Sequence, residues 1–235
     1  HEPVLPEDWS YRLLADVTVD ALVTLTIEPG VEVVLINNGD LFIDGTLNAL
    51  GNSTDSIRFT GLTTYDGEVE LRTGSAASFD YVVFSELGNG TLTPALTIGT
   101  SGAVTVDHSR FVGNRNGIEI DGGASPETSN RNGINVTNGT MTLDNCLIDG
   151  NLDKGVYLLD AATIQNTTFS GNGVSQEDCG LHIDAVVVPV LDNNVFSGNY
   201  IDVITHPEIV DDQIFDTNGL AEIFIDNKNV TVNTT

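Results

Sequence analysis

One eight-residue unit recurs along this chain and limits what it can fold into. Asp192-Asn193-Asn194-Val195-Phe196-Ser197-Gly198-Asn199 is one copy. Asp144 to Asn151, Gln165 to Asn172 and Asp107 to Asn114 are further copies, and weaker ones run from Asp80 to Phe84 and from Asp211 to Phe215. The apolar anchors Phe84, Phe111, Ile148, Phe169, Phe196 and Phe215 follow in steps of 27, 37, 21, 27 and 19 residues. A basic unit of about twenty residues with variable insertions marks a solenoid. Short alternating runs lie between the copies. Leu96-Thr97-Ile98, Val156-Tyr157-Leu158 and Leu181-His182-Ile183 follow loops; Val104-Thr105-Val106 and Met141-Thr142-Leu143 precede the next copy. Each repeat therefore holds about three short strands joined by Asn, Gly and Asp turns. Neither a fixed leucine lattice nor a helical period is present. What remains is all-β: a parallel β-helix with coils stacked about 4.8 Å apart.

The Asn of each copy has a physical reason. A tight turn between strands needs a left-handed backbone, which Asn tolerates best after Gly. Stacked coils set Asn145, Asn166 and Asn193 above one another, and their side chains are expected to bond along the axis as a ladder. Cys146 follows one turn Asn, and Cys179 ends the longer loop of the next coil. A Cys146–Cys179 disulfide and two free buried thiols are both open at this point.

The turn Asn, the apolar anchor and the Gly-Asn loop resemble the repeats of right-handed parallel β-helix proteins of the pectin-lyase-like superfamily. Leu25 to Val33, Leu41 to Gly51 and Ser56 to Thr60 are similar to the first coils of microbial secreted and surface β-helix proteins. The resemblance covers nearly the whole chain. It implies one right-handed solenoid, but no single activity, because the superfamily holds lyases, hydrolases, epimerases, adhesins and structural modules. Residues 1–12, with Pro3, Pro6 and Trp9, read as a lead-in and partial cap. Residues 13–235 read as the solenoid, of roughly eight to ten coils, with a loop inserted near 121–131.

The net charge is −26, from 34 acidic and 8 basic residues. Phosphate binding needs clustered Lys and Arg, so nucleic acid and anionic membrane are not expected partners. No apolar run reaches the length of a membrane span. The charge suits an extracellular or cell-surface protein. Solvation with no cofactor is the first reading of the charge, and Ca²⁺ held by carboxylates in the turns or in the 121–131 loop is the alternative. Asn-x-Ser/Thr sequons at Asn52, Asn89, Asn135, Asn138, Asn229 and Asn233 would suit glycosylation; the one at Asn166 is needed for the ladder.

Candidate chemistry lies on the strand after each loop. Its outward positions are expected to stack Thr97, Asn135, Tyr157, His182 and Asp202 in one column, with Glu119 joining if Asn116-Gly117-Ile118 opens the wall strand. Tyr157, His182 and Asp202 have the chemistry of an aromatic platform, a general base and a carboxylate. A polar exposed face explains the same residues. Asp107-His108-Ser109-Arg110 resembles the Asp-His strand of pectate lyases and adds Arg110 to the candidates. The repeat register already accounts for Asp107 and for His108, which fills the turn-Asn slot. The chain therefore reads as a non-catalytic structural or adhesive module of a microbial surface. The alternative is a lyase or hydrolase acting on acidic polysaccharide. Alternating residues continue through Val230-Thr231-Val232, and no polar cap follows. Either the chain continues beyond Thr235 in a larger protein, or neighbouring copies cover the solenoid ends by associating head to tail into a filament.

Overall fold

The computed structural model describes residues 4–5, 10–62, 67–72, 74–88, 95–98, 103–114, 118–119, 140–158, 162–175, 178–183, 189–205, 214–215 and 223–225. Strands form where apolar residues alternate with polar ones. Leu41–Ile43, Val156–Leu158 and Leu181–Ile183 each bury the outer pair and leave the middle residue half-exposed. Strands this short are not stable alone. They are held by parallel pairing into three sheets, each strand bonding to its counterparts in the coils before and after. Sheet 1 has eight described strands, from Val4–Leu5 to Val190–Asp192. Sheet 2 has nine, from Ser10–Leu13 to Ile214–Phe215, and sheet 3 has nine, from Val17–Val19 to Ile223–Ile225. The chain visits the sheets in the order 1, 2, 3 and repeats, which makes a right-handed parallel β-helix. Among the described residues there is no helix, and none long and apolar enough to cross a membrane.

The anchors of the repeat fall into one register on sheet 2: Phe59, Phe84, Phe111, Ile148, Phe169, Phe196 and Phe215. Phe84 and Phe111 stack with ring centroids 4.5 Å apart, and Phe169 and Phe196 at 4.8 Å. Burying each such ring contributes about 1.5–3 kcal/mol relative to exposure. The unequal steps between anchors leave this register intact.

The solenoid begins earlier than residue 13. Val4–Leu5 already pairs with Thr24–Ile27, and Ser10–Leu13 with Glu32–Leu35. Pro3 and Pro6 exclude a helix, but a strand at the edge of a sheet can lie beside them. Trp9 and the 121–131 loop lie outside the described residues, as do the sequons at Asn89, Asn135, Asn138, Asn229 and Asn233. Asn52 is described. Its carbonyl oxygen accepts from the backbone N–H groups of Thr54 and Asp55 and from the Thr54 hydroxyl, closing a local turn.

The ladder differs from expectation. Asn145, Asn166 and Asn193 do take left-handed backbone, with φ of 50°, 50° and 52°, but all are exposed. One amide bond joins them, from Asn193 Nδ2 to Asn166 Oδ1; Asn166 Nδ2 turns instead to Asp144, and Asn145 Nδ2 to Asp107. The buried ladder lies at the next corner, between sheets 2 and 3. There Gly113, Gly150, Gly171 and Gly198 adopt positive φ, and the following residues Asn114, Asn151, Asn172 and Asn199 are buried. Asn151 Nδ2 donates to Asn172 Oδ1, and Asn172 Nδ2 to Asn199 Oδ1, both at 2.8 Å. The reason is directional. A left-handed turn residue throws its own side chain outward, while the residue after a left-handed Gly points into the coil.

Cys146 and Cys179 are free, buried thiols, so no disulfide joins them. Cys146 sits at the corner between sheets 1 and 2, where its thiol donates to the Asp144 carbonyl at 3.0 Å. Cys179 stands before the sheet 3 strand Leu181–Ile183, at a different corner. Burial pushes both thiols up to about 12.

Candidate functional site

The corner between sheets 1 and 2 carries two parallel columns. The last residues of the sheet 1 strands stack as Leu50, Asp80, Asp107, Asp144, Gln165 and Asp192. The turn residues that follow, Tyr81, His108, Asn145, Asn166 and Asn193, all have left-handed φ between 45° and 52°. Asn accepts this conformation readily, whereas it is a genuine outlier for a bulky residue such as Tyr. The two departures from Asn lie on adjacent coils. Their rings stack face to face, with centroids 4.5 Å apart and planes within 3°.

Beside this stack His108 Nδ1 lies 3.1 Å from Asp80 Oδ1 and 3.1 Å from Asp107 Oδ1. One ligand atom from each of Asp80, Asp107 and His108 falls within a sphere where no pair is more than 4.8 Å apart. The three side chains are 39%, 43% and 40% exposed, so the cluster is open to a solute. Asp107 Oδ1 also accepts from the His108 backbone N–H and from Asn145 Nδ2, which fixes the carboxylate. Asp144, one coil on, is differently placed. Its slight burial opposes ionisation, but bonds from the Asn166 and Gln165 side chains and the Asn145 backbone outweigh this and hold its carboxyl below the usual range. Both its oxygens are occupied by amides at 2.8 Å, so it does not join the open cluster.

The residues singled out from the sequence are only partly brought together. Tyr157 and His182 are neighbours on successive coils of sheet 3, with rings 4.8 Å apart. Lys154 Nζ lies 5.9 Å from the Tyr157 ring. Glu119 is in the wall, in register with Thr97, because Ile118–Glu119 is the sheet 3 strand. Asp202 is not in the column. Ile204 pairs with His182, and Asp202 is buried in the preceding turn, where Asn199 Nδ2 donates to it at 3.0 Å. Arg110 is exposed on sheet 2, in register between Val83 and Leu147, on a different wall from His182. Asn135 lies outside the described residues. The four side chains put forward for polysaccharide chemistry therefore do not converge. Asp80 was missed. It stood in plain view as the first residue of a weak repeat copy, and the signal was Asp recurring at that position in Asp107, Asp144 and Asp192.

Comparison with known proteins adds a family. The profile described as periplasmic copper-binding protein (NosD) matches residues 36–231, which includes Asp80, Asp107 and His108. No curated protein matches the chain. The family description places its members outside the cytoplasm, in agreement with the location expected from the sequence. With most of its length matched and every sheet parallel, this chain belongs to the NosD family.

Proposed function

We propose that this chain is a non-catalytic β-helix module of the extracytoplasmic space that binds a copper ion at its Asp80, Asp107 and His108 corner. The observation that carries this is the one imidazole and two carboxylates whose ligand atoms lie within 4.8 Å. The donor set suits the metal: imidazole and carboxylate oxygen in an open site are ligands for divalent copper. His108, Asp80 and Asp107 would hold it, and bound copper would supply a redox-capable cation at an otherwise negative corner. The overall charge of −26 draws cations toward the surface. Ca²⁺ is served less well here, since it takes about six to eight oxygen ligands and the corner offers one nitrogen and two carboxylates.

His108→Asn tests the site cleanly. Asn is what the same turn slot holds at positions 145, 166 and 193. The variant keeps the left-handed turn and removes only the imidazole. Thermal stability is expected to stay the same or rise. Copper affinity, measured by equilibrium dialysis or calorimetry, is expected to fall at least about tenfold, since even outer partners of a metal site cost that much. Unchanged affinity would remove His108 from the site.

A structural role by head-to-tail stacking is a second reading. It is supported by parallel ladders that run on to Ile214–Phe215 and Ile223–Ile225 among the described residues, since a free sheet edge on such a ladder would be a template for pairing. Light scattering over a concentration series tests it: growth of linear species supports stacking, and a constant monomer mass rejects it.

A further inference from the structure

We infer that Asn52 is a modification site, the acceptor for an oligosaccharide carried on a polyprenyl phosphate, and that the other described sequon, at Asn166, is not. This modification is independent of copper. Asn52-Ser53-Thr54 fits Asn-x-Thr with no Pro between. The chain works outside the cytoplasm, where secreted proteins receive such glycans.

The two sequons differ in what surrounds them. Asn52 lies in the loop that joins Thr46–Leu50 to Ile57–Gly61. Both ends of this loop are fixed to the next coil. The Gly51 N–H donates to the Asp80 carbonyl at 2.8 Å, and the Ile57 N–H to the Tyr81 carbonyl at 3.1 Å. Between those ends Ser53, Thr54 and Asp55 are exposed, and Asn52 is half-buried. A loop tip held on a rigid wall is open to a modifying enzyme without unfolding. The Asn52 carbonyl oxygen accepts from the Thr54 and Asp55 backbone N–H groups, both at 2.9 Å. The Thr54 hydroxyl lies 2.7 Å from that oxygen and 2.7 Å from Asp55 Oδ2, one proton between two acceptors. These bonds all fall on oxygen, and none of them uses the amide nitrogen. They draw charge from the amide and make its N–H groups more acidic.

Asn166-Thr167-Thr168 offers none of this. Asn166 Nδ2 is occupied by Asp144 Oδ1 at 2.8 Å, and its Oδ1 by Asn193 Nδ2 at 2.8 Å. Thr167 is fully buried. Thr168 is in a wall strand, paired with Leu147 on one side and Val195 on the other. A transferase reaches this tripeptide only if the wall opens. At Asn52 the transfer is a displacement without redox change. A bond forms from Nδ2 to the anomeric carbon of the sugar, and the bond from that carbon to the phosphate oxygen breaks. The lipid phosphate leaves with the electron pair, and one Nδ2 proton goes to a base of the transferase.

The experiment offers the folded 235-residue chain to an oligosaccharyltransferase that acts on Asn-x-Ser/Thr, with its polyprenyl-linked donor, and runs the denatured chain beside it. Glycopeptide mass spectrometry reads each site separately. In the folded chain, occupancy at Asn52 is expected to exceed that at Asn166 at least about tenfold, because a residue in a paired strand reacts only from its locally opened state. Denaturation should remove most of that gap. Thr54→Ser should keep the glycan at Asn52, and Thr54→Ala and Asn52→Gln should each abolish it. An Asn52 left bare in the folded chain overturns the inference, whatever the denatured chain shows. Equal occupancy of the two sites in the folded chain overturns the contrast between them.

Discussion

Asn172→Ala is expected to destabilise the protein by on the order of 3–5 kcal/mol, because one buried amide serves four partners. Asn172 is fully buried. Its Nδ2 donates to the Ile148 carbonyl at 2.9 Å and to Asn199 Oδ1 at 2.8 Å. Its Oδ1 accepts from the backbone and side-chain N–H groups of Asn151 at 3.2 and 2.8 Å. Truncation takes a partner from groups on the coil before and the coil after, and each buried orphan costs about 1–3 kcal/mol before relaxation. Asn166→Ala is the matched control. That side chain is exposed, so its two bonds are replaced by water, and the remaining cost is an alanine in left-handed backbone, about 1–2 kcal/mol. Urea unfolding of both variants compares the corners. If Asn172→Ala proves no worse than Asn166→Ala, the buried column does not hold the coils together as the geometry indicates.

The same contrast shows what the sequence could and could not disclose. The winding was legible because the Phe anchors carry it: a large apolar residue at a fixed distance after each turn Asn stacks whatever the loop lengths between copies. Which Asn column faces inward was not legible. Asn145 and Asn151 belong to the same copy and are equally polar, and only the handedness of Gly150 decides that the second is buried. The wall strand near residue 202 failed for a related reason. Tyr200-Ile201-Asp202-Val203-Ile204 alternates over its whole length, so the same phase fits whether the strand starts at Ile201 or two residues later at Val203. The structure puts Val203 inside and Ile204 in register with His182, and sinks Asp202 into a turn. The corner site was half legible. His108 announced itself by displacing Asn, but Asp80 lies 28 residues before it, across a coil of irregular length. No spacing rule links two such residues until the register of sheet 1 is fixed.

Stability should fall as pH rises from about 5 to about 8, and Glu68→Gln should abolish most of that fall. Asp16, Asp40 and Glu68 occupy equivalent places on three successive coils, each just before a sheet 3 strand. They are laced together by backbone bonds: the Asp40 N–H donates to Asp16 Oδ1 and the Glu68 N–H to Asp40 Oδ1. Burial pushes the Glu68 carboxyl up to about 8, with Asp40 and Glu70 adding repulsion, against the opposing bond from the Thr97 hydroxyl at 2.7 Å. Asp40 is raised as well, mainly by burial. Arg72 gives Glu68 only weak relief, because it lies 3.6 Å from Glu70, 3.9 Å from Asp44 and 3.7 Å over the Phe42 ring. Near pH 7 the folded protein therefore holds a proton on Glu68 that the unfolded chain releases. A raised acid favours the folded state fully below its unfolded value near 4.5 and loses that advantage on the way to about 8. The slope is about 1.4 kcal/mol per pH unit for one such group, so several kcal/mol are at stake across the window. Gln is neutral at every pH and can still accept from Thr97. Thermal melts at fixed ionic strength between pH 5 and 9 should show the wild type falling and Glu68→Gln nearly flat, with the variant the more stable protein above pH 8. Parallel curves for the two proteins would mean that Glu68 ionises freely and that the corner is open to water.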